Sequence, residues 1–111
     1  VILKNPKVEL FSCDELFAEF ERVRQYPKLQ KWLTPVRAAE TFELMHAKAV
    51  VVQITARTAN FTDAKDNYLL DLCNAAQVEY LVTGDKQLLA LGSFNETRIL
   101  TYRAFCDILE L

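Results

Sequence analysis

Acidic side chains recur where predicted strands end and predicted helices begin. Asp63 and Asp66 lie at the start of one predicted helix, Asp85 directly follows a strand that ends at Thr83, and Glu19 lies in a helix that follows another strand. Hard cations such as Mg²⁺ and Mn²⁺ take carboxylate oxygens as ligands and keep water molecules for a phosphate substrate. Glu19, Asp66 and Asp85, with Asp63 as a further candidate, therefore form a candidate metal site.

Metal ions in such a site activate a water molecule for attack on a phosphodiester and offset charge at the leaving oxygen. The Thr83 hydroxyl could orient a ligand water. Each acid also has a simpler interpretation. Glu19 would be part of a solvated helix face, Asp66 a partner of the helix dipole, and Asp63 and Asp85 helix N-caps. Their joint placement, rather than any single residue, favours the metal site.

Other kinds of site are less well supported. The single histidine, His46, lies near a predicted helix end, which favours a surface or helix-dipole role. No Cys-x-x-Cys spacing points to zinc, and Gly84 and Gly92 are the only glycines, so no glycine-rich phosphate loop exists. Trp32 lies among basic residues that could bind a nucleic acid, but packing between helices is the preferred interpretation for this tryptophan.

The elements that would position the acids alternate along the chain. Ser12 and Glu15 match a capping box that begins a helix after a first strand, and Thr34-Pro35 begins a second helix that runs to about Lys48. Glu19 borders the apolar face of the first helix. Gly92 closes the helix that follows Asp85. The predicted strands are Val8–Phe11, Ala49–Ile54, Tyr80–Thr83 and Arg98–Leu100, and the remaining helices are Ala64–Ala76, Lys86–Leu91 and Tyr102–Leu109.

This alternation predicts an α/β fold with a parallel sheet and helices on both faces. The valine-rich strand Ala49–Ile54 is expected to be covered on both sides. Ligands bind at the carboxyl ends of the strands in such sheets, which is where Glu19, Asp66 and Asp85 would converge. The 111 residues are enough for a single domain and too few for two.

Composition limits the surroundings in which the protein works. The net charge of −2 means that any nucleic acid must be bound by a local basic patch rather than by the field of the whole protein. Three widely spaced cysteines, each expected in a helix among apolar residues, predict buried thiols in a reducing cytosol. No apolar run approaches the roughly 20 residues that span a bilayer. We therefore expect a cytoplasmic protein without a membrane segment.

Several runs of the sequence, taken together, resemble PIN-domain proteins, in particular the bacterial group of toxins from toxin–antitoxin systems. The resemblance extends from about Val8 to Leu109. The runs that carry it in combination are Ser12–Val23, Tyr26-Pro27-Lys28, Asp63–Leu70, Leu81–Leu91 and Arg98–Thr101.

The resemblance implies a three-layer α/β/α sandwich and a Mg²⁺- or Mn²⁺-dependent ribonuclease. The helix glutamate of the family looks like Glu19, its helix-start aspartate looks like Asp66 with Asp63 in support, and its Thr-Gly-Asp looks like Thr83-Gly84-Asp85. The implied partners are an RNA substrate, an antitoxin protein and a second copy of the chain. The family's N-terminal strand, whose aspartate is a fourth metal ligand, has no counterpart here. We therefore expect residues 1–111 to be a single PIN-like domain that is incomplete at its N-terminus.

Two alternatives remain at this stage. Because the fourth acid is missing, the chain could be a catalytically inactive PIN-like module that binds RNA or a protein partner. Thr-Gly-Asp also occurs in phosphatases of the haloacid-dehalogenase type, but these need an Asp-x-Asp-x-Thr nucleophile motif, which this sequence lacks.

Overall fold

The fold consists of short strands and helices in two compact units, residues 1–53 and residues 54–111. A computed structural model of the protein describes residues 7–31, 34–57, 59–60 and 66–110. Within these ranges the structure has six helices and five strands. Each unit is built around its own small sheet.

The first unit pairs two parallel strands and carries three helices between them. Its elements are β1 (Phe11–Ser12), α1 (Asp14–Val23), α2 (Pro27–Gln30), α3 (Pro35–Lys48) and β2 (Val50–Val51). Phe11 is in register with Val50 and Ser12 with Val51. The parallel pairing of the first two predicted strands is therefore confirmed.

The start of α1 differs from the prediction. Ser12 lies in β1 and is fully buried, and its hydroxyl donates to the Cys13 carbonyl at 3.4 Å. Cys13 is the N-cap residue and makes no side-chain capping bond. The prediction that Ser12 and Glu15 form a capping box was therefore wrong. Pairing with β2 keeps the chain extended through Ser12, so the N-cap is Cys13, one residue later than predicted.

Sequence signals located α3 well. Thr34 has extended backbone geometry, its Oγ1 accepts from the Arg37 N–H at 3.2 Å, and Pro35 is the first helical residue. Proline is favoured there because its missing N–H would have no partner inside the helix. The helix ends at Lys48, as predicted.

An aromatic cluster joins α1 to α3 in the first unit. Phe17 and Phe20 of α1 contact Phe42 and His46 of α3. The His46 ring stacks on Phe17 with centroids 4.0 Å apart and an interplanar angle of 8°. His46 is exposed in the last turn of α3, so its predicted surface position is confirmed, and ring packing adds to it.

The predicted strand Ala49–Ile54 is shorter and more exposed than expected. Only Val50 and Val51 form strand β2, and they are 43% and 54% exposed. The expectation of a strand covered on both faces was wrong. Valine favours the pleated backbone whether or not it is buried, so a valine-rich run indicates a strand better than it indicates burial.

The second unit contains a mixed sheet of three strands in the order β3-β5-β4. Its elements are α4 (Asn67–Ala76), β3 (Tyr80–Val82), α5 (Lys86–Leu91), β4 (Ser93–Phe94), β5 (Thr97–Leu100) and α6 (Tyr102–Leu109). Strands β3 and β5 are parallel, as predicted, with Leu81 opposite Ile99.

The antiparallel hairpin β4–β5 was missed by the sequence analysis. Asn95 occupies its turn with φ 51°, a left-handed conformation that asparagine tolerates better than most residues. The signal in the sequence was Asn95 alone, without the following glycine that marks many two-residue hairpins. The helix preceding the hairpin ends at Gly92, with φ 77°, as predicted.

Leu70, Leu88 and Ile99 form the core of the second unit, with Leu81 and Phe94 among the apolar residues packed against it. Leu70 and Leu88 are each only 1% exposed. Helix α4 is buried over four consecutive residues, Leu70 to Cys73.

These elements confirm an α/β fold with parallel strand pairs, while its organisation as a single domain stays a prediction. No helix in the described part of the chain is long and apolar enough to cross a membrane. All three cysteines are free, with Cys13 and Cys73 buried and Cys106 half-buried. Cys13 precedes α1 instead of lying within a helix, contrary to expectation.

Candidate functional site

Asp85 lies between β3 and α5 and caps the helix. Its Oδ1 accepts from the Gln87 N–H at 2.8 Å and from the Leu88 N–H at 3.2 Å. The interpretation of Asp85 as an N-cap is therefore confirmed. The cap uses one carboxylate oxygen and holds the side chain in a fixed orientation, and Oδ2 makes no hydrogen bond or ion pair with the described residues. A capping aspartate of this kind can still offer an oxygen to a cation.

Thr83 supports the same turn. Its Oγ1 accepts from the Asp85 N–H at 3.1 Å, so the hydroxyl proton is directed elsewhere. The Thr83 N–H donates to the Leu100 carbonyl at 3.0 Å and thereby continues the pairing of β3 with β5. Thr83 and Asp85, both predicted site residues, are thus in direct contact.

Asp66 is buried at the N-cap of α4. It is 6% exposed, and its backbone dihedrals of φ −96° and ψ −2° are helical rather than extended. Its side chain makes no capping hydrogen bond to α4, although aspartate is among the best capping residues. Asp66 makes other interactions, but its Oδ2 is buried and accepts no hydrogen bond from the residues that the structure describes. This carboxylate is therefore not explained by helix capping.

Glu19 is half-buried on α1, as expected for a residue at the border of the apolar face. It belongs to the first compact unit, whereas Asp66, Thr83 and Asp85 belong to the second. Asp63 lies outside the described residues. The convergence of Glu19, Asp63, Asp66 and Asp85 on one metal site thus stays a prediction.

The donor set suits a hard cation. Carboxylate and hydroxyl oxygens are the ligands that Mg²⁺ and Mn²⁺ prefer, and the predicted set contains no sulfur or imidazole. Among the residues that the structure describes, no three His, Cys, Asp or Glu side chains lie close enough together to hold a metal ion.

The sequence analysis missed Asp71, a second buried carboxylate of α4. Asp71 is 3% exposed, and its Oδ1 accepts from the Ala59 N–H at 2.9 Å. The bond joins α4 to a segment without regular structure twelve residues earlier. An aspartate between the leucines Leu70 and Leu72 was the available signal, because a charged residue within an apolar run needs a specific partner.

Cys73 offers no nucleophile to this site. Burial raises the pKa of the Cys73 thiol from 9.0 to about 11, so the thiol is neutral at physiological pH. The exposed Tyr102 hydroxyl hydrogen-bonds Cys106, and this bond raises the pKa of Tyr102. Cys73 and Tyr102 therefore favour their neutral forms. The carboxylate and hydroxyl oxygens remain the candidate functional groups.

Comparison with known protein families identifies the family of the chain. A family model of the PIN domain matches residues 2–87 of the 111, a range that includes Glu19, Asp63, Asp66, Thr83 and Asp85. No curated protein and no solved structure matches the chain significantly. Because the matched range covers most of the sequence, the chain belongs to the PIN-domain family.

Proposed function

We propose that this protein is a metal-dependent endoribonuclease that hydrolyses phosphodiester bonds of RNA. PIN domains are generally nucleases that use divalent metals, and they bind RNA. The family therefore supplies the reaction class, and the residues of this chain supply candidates for each role.

The observation that carries the proposal is the buried carboxylate of Asp66. At the N-cap of α4 an aspartate would ordinarily cap its own helix, but this side chain does not. Burying a carboxylate is costly, so a carboxylate that is 6% exposed needs a positive partner or hydrogen bonds. Asp66 interacts with other groups of the chain, and a divalent cation bound at its buried Oδ2 would be a further, positively charged partner.

The other residues have distinct roles in this proposal. Asp85 would be a second ligand, held in orientation by its two capping bonds, and Thr83 would position a ligand water through its hydroxyl. Glu19 and Asp63 would complete the set. A bound Mg²⁺ or Mn²⁺ activates water and stabilises negative charge on the leaving oxygen. The carboxylates of this chain would hold the metal ion in place, and Thr83 would keep the attacking water oriented.

The remaining parts of the proposal follow from the family. The chain would form a single domain, a three-layer α/β/α sandwich around a parallel central sheet. The protein would act in the cytoplasm as the toxin of a toxin–antitoxin pair, with an antitoxin protein as its inhibitor and a second copy of itself as a partner. PIN domains often bind antitoxins, which supports this assignment.

The test is cleavage of single-stranded RNA by the full-length protein with Mg²⁺ or Mn²⁺. Glu19→Gln, Asp66→Asn and Asp85→Asn each remove one negative charge with little change in shape. We expect each to lower the cleavage rate by roughly 100-fold or more, because loss of a metal ligand removes several kcal/mol of transition-state stabilisation. Asp107→Asn, on the exposed side of α6, is the matched control and should cleave at the wild-type rate.

Wild-type rates in all three site variants would overturn the proposed site. A full-length protein that binds RNA without ever cleaving it would replace the nuclease proposal with an inactive binding module.

A further inference from the structure

We propose that Asp71 is a positioning residue for Asp66, an inference that rests on the proposed metal-dependent function. Asp71 holds α4 to Ala59 and thereby sets the place of the Asp66 carboxylate at the start of the same helix. The proposal assigns a role to a buried acid that would contact neither the metal nor the RNA.

Geometry supports this role first. Asp71 lies in the second turn of α4, five residues after Asp66, so both side chains move with the first half of the helix. The Asp71 Oδ1 accepts from the Ala59 N–H at 2.9 Å, which fixes the backbone of residue 59 to this part of α4. Any rotation or sliding of α4 relative to the segment 54–60 would break that bond.

The surroundings of Ala59 strengthen the argument. Ala59 packs against the core formed by Leu70, Leu88 and Ile99. The hydrogen bond from Ala59 therefore connects α4 to a fixed region of the second unit. Hydrogen bonds to charged acceptors are stronger than neutral ones, and at 3% exposure the Asp71 bond has little competition from water.

The choice of a carboxylate at position 71 also requires an explanation. A leucine would fill the same buried space without the cost of burying a polar group, and Leu70 and Leu72 flank the position. Loss of a group that hydrogen-bonds a metal ligand directly weakens metal affinity by about 10- to 100-fold, and Asp71, which would act on Asp66 through α4, should produce an effect near the lower end of that range.

The test compares Asp71→Leu and Asp71→Asn in the full-length protein. Leucine removes the acceptor and is larger than aspartate, whereas asparagine keeps the shape and an acceptor oxygen and removes the charge. The two readouts are hydrogen exchange of the segment 54–60 and the Mn²⁺ concentration that half-saturates the protein. Asn74→Leu is the matched control, because Asn74 lies on the exposed side of α4 and its Oδ1 accepts from Asn95 Nδ2, also at 2.9 Å.

For Asp71→Leu we expect exchange at Ala59 to accelerate on the order of tenfold and half-saturation by Mn²⁺ to require about tenfold more metal. Asp71→Asn should lie between wild type and Asp71→Leu in both readouts, because it keeps an acceptor oxygen and loses the charge that strengthens the bond. Asn74→Leu should lose stability and leave Mn²⁺ binding unchanged, which separates positioning from general support of the helix. Asp71→Ala replaces the leucine variant if that variant does not fold.

Unchanged exchange at Ala59 in Asp71→Leu would overturn the proposal, as would equal losses of Mn²⁺ affinity in Asp71→Leu and Asn74→Leu. Failure of the proposed function looks different. In that case wild-type protein neither binds Mn²⁺ nor cleaves RNA, and hydrogen exchange still decides whether Asp71 holds the segment 54–60 to α4.

Discussion

Asp85 carries two separable roles in this account, because one oxygen of its carboxylate caps α5 and the whole group carries the charge offered to a metal. A neutral residue that still accepts hydrogen bonds can replace the first role and not the second. One substitution of Asp85 can therefore change stability and activity together, and another can change activity alone.

Substitution of Asp85 should therefore separate the two effects. Asp85→Ala removes the cap bonds to Gln87 and Leu88 and should lower the free energy of unfolding by about 1 kcal/mol. Asp85→Asn retains the cap and should unfold within a few tenths of a kcal/mol of wild type. Both should lose RNA cleavage. Chemical denaturation and the cleavage assay check this, and full activity in Asp85→Asn would exclude a metal-binding role for the carboxylate.

Cys73 predicts a pH dependence of stability at the alkaline end. Its pKa is about 11 in the folded protein and 9.0 in the unfolded chain, so only the unfolded state releases the thiol proton between these values. The contribution of Cys73 to stability should be constant below pH 9.0 and fall by roughly 2 to 3 kcal/mol as the pH rises to about 11.

Denaturation at a series of alkaline pH values, with Cys73→Ala beside wild type, isolates this effect from other titrating groups. The variant should show the shallower decline of unfolding free energy. Parallel declines for the two proteins would mean that the thiol titrates equally in both states.

At the scale of elements, α5 is held to the sheet mainly through Leu88. Leu88→Ala should destabilise the protein by about 2 to 5 kcal/mol, because the residue is 1% exposed and its loss leaves a cavity beside Leu70 and Ile99. Leu91→Ala, on the same helix and 41% exposed, should cost less than about 1 kcal/mol. Denaturant titration of the two variants measures both changes, and equal losses would contradict the described core.

Local signals determined which elements could be predicted from the sequence. The N-cap Thr34 with Pro35, and the glycine at position 92, act within one helical turn, so the limits of α3 and the end of α5 were predicted correctly. Strand ends depend on pairing with distant residues. For that reason β1 begins later than predicted, β2 is shorter than predicted, and the hairpin β4–β5 was missed.

The candidate site was predictable to a similar extent. Residue type and position next to a helix start identified Asp66 and Asp85. Whether a carboxylate caps its helix depends on backbone geometry, and here Asp85 does while Asp66 does not. Asp71 was missed because its partner, the Ala59 N–H, is a backbone group twelve residues away that no sequence pattern reveals.

At the scale of the whole molecule, the chain has two compact units but is expected to behave as one domain. Cooperative unfolding is therefore the prediction, with the most protected amides of α3 and of β5 exchanging with the same free energy. Hydrogen exchange at increasing denaturant concentration measures this for both helix and strand in one experiment. If the free energies of exchange of α3 and β5 differed by several kcal/mol, the two units would unfold independently.

The overall charge also constrains how RNA is bound. With a net charge of −2 the protein has no long-range attraction for RNA, so binding would depend on local basic groups and on a bound cation. The net charge of −2 is consistent with the proposed site, in which the carboxylates would contact RNA only through a bound metal ion.

Calorimetric titration of Mn²⁺ into the full-length protein and its Asp66→Asn variant decides whether the buried Asp66 carboxylate is a metal ligand. The account predicts that wild type binds Mn²⁺ and that the variant binds at least about tenfold more weakly while keeping its fold, because the buried carboxylate is a direct ligand. Equal Mn²⁺ affinity in the two proteins, or no binding by either, would contradict it.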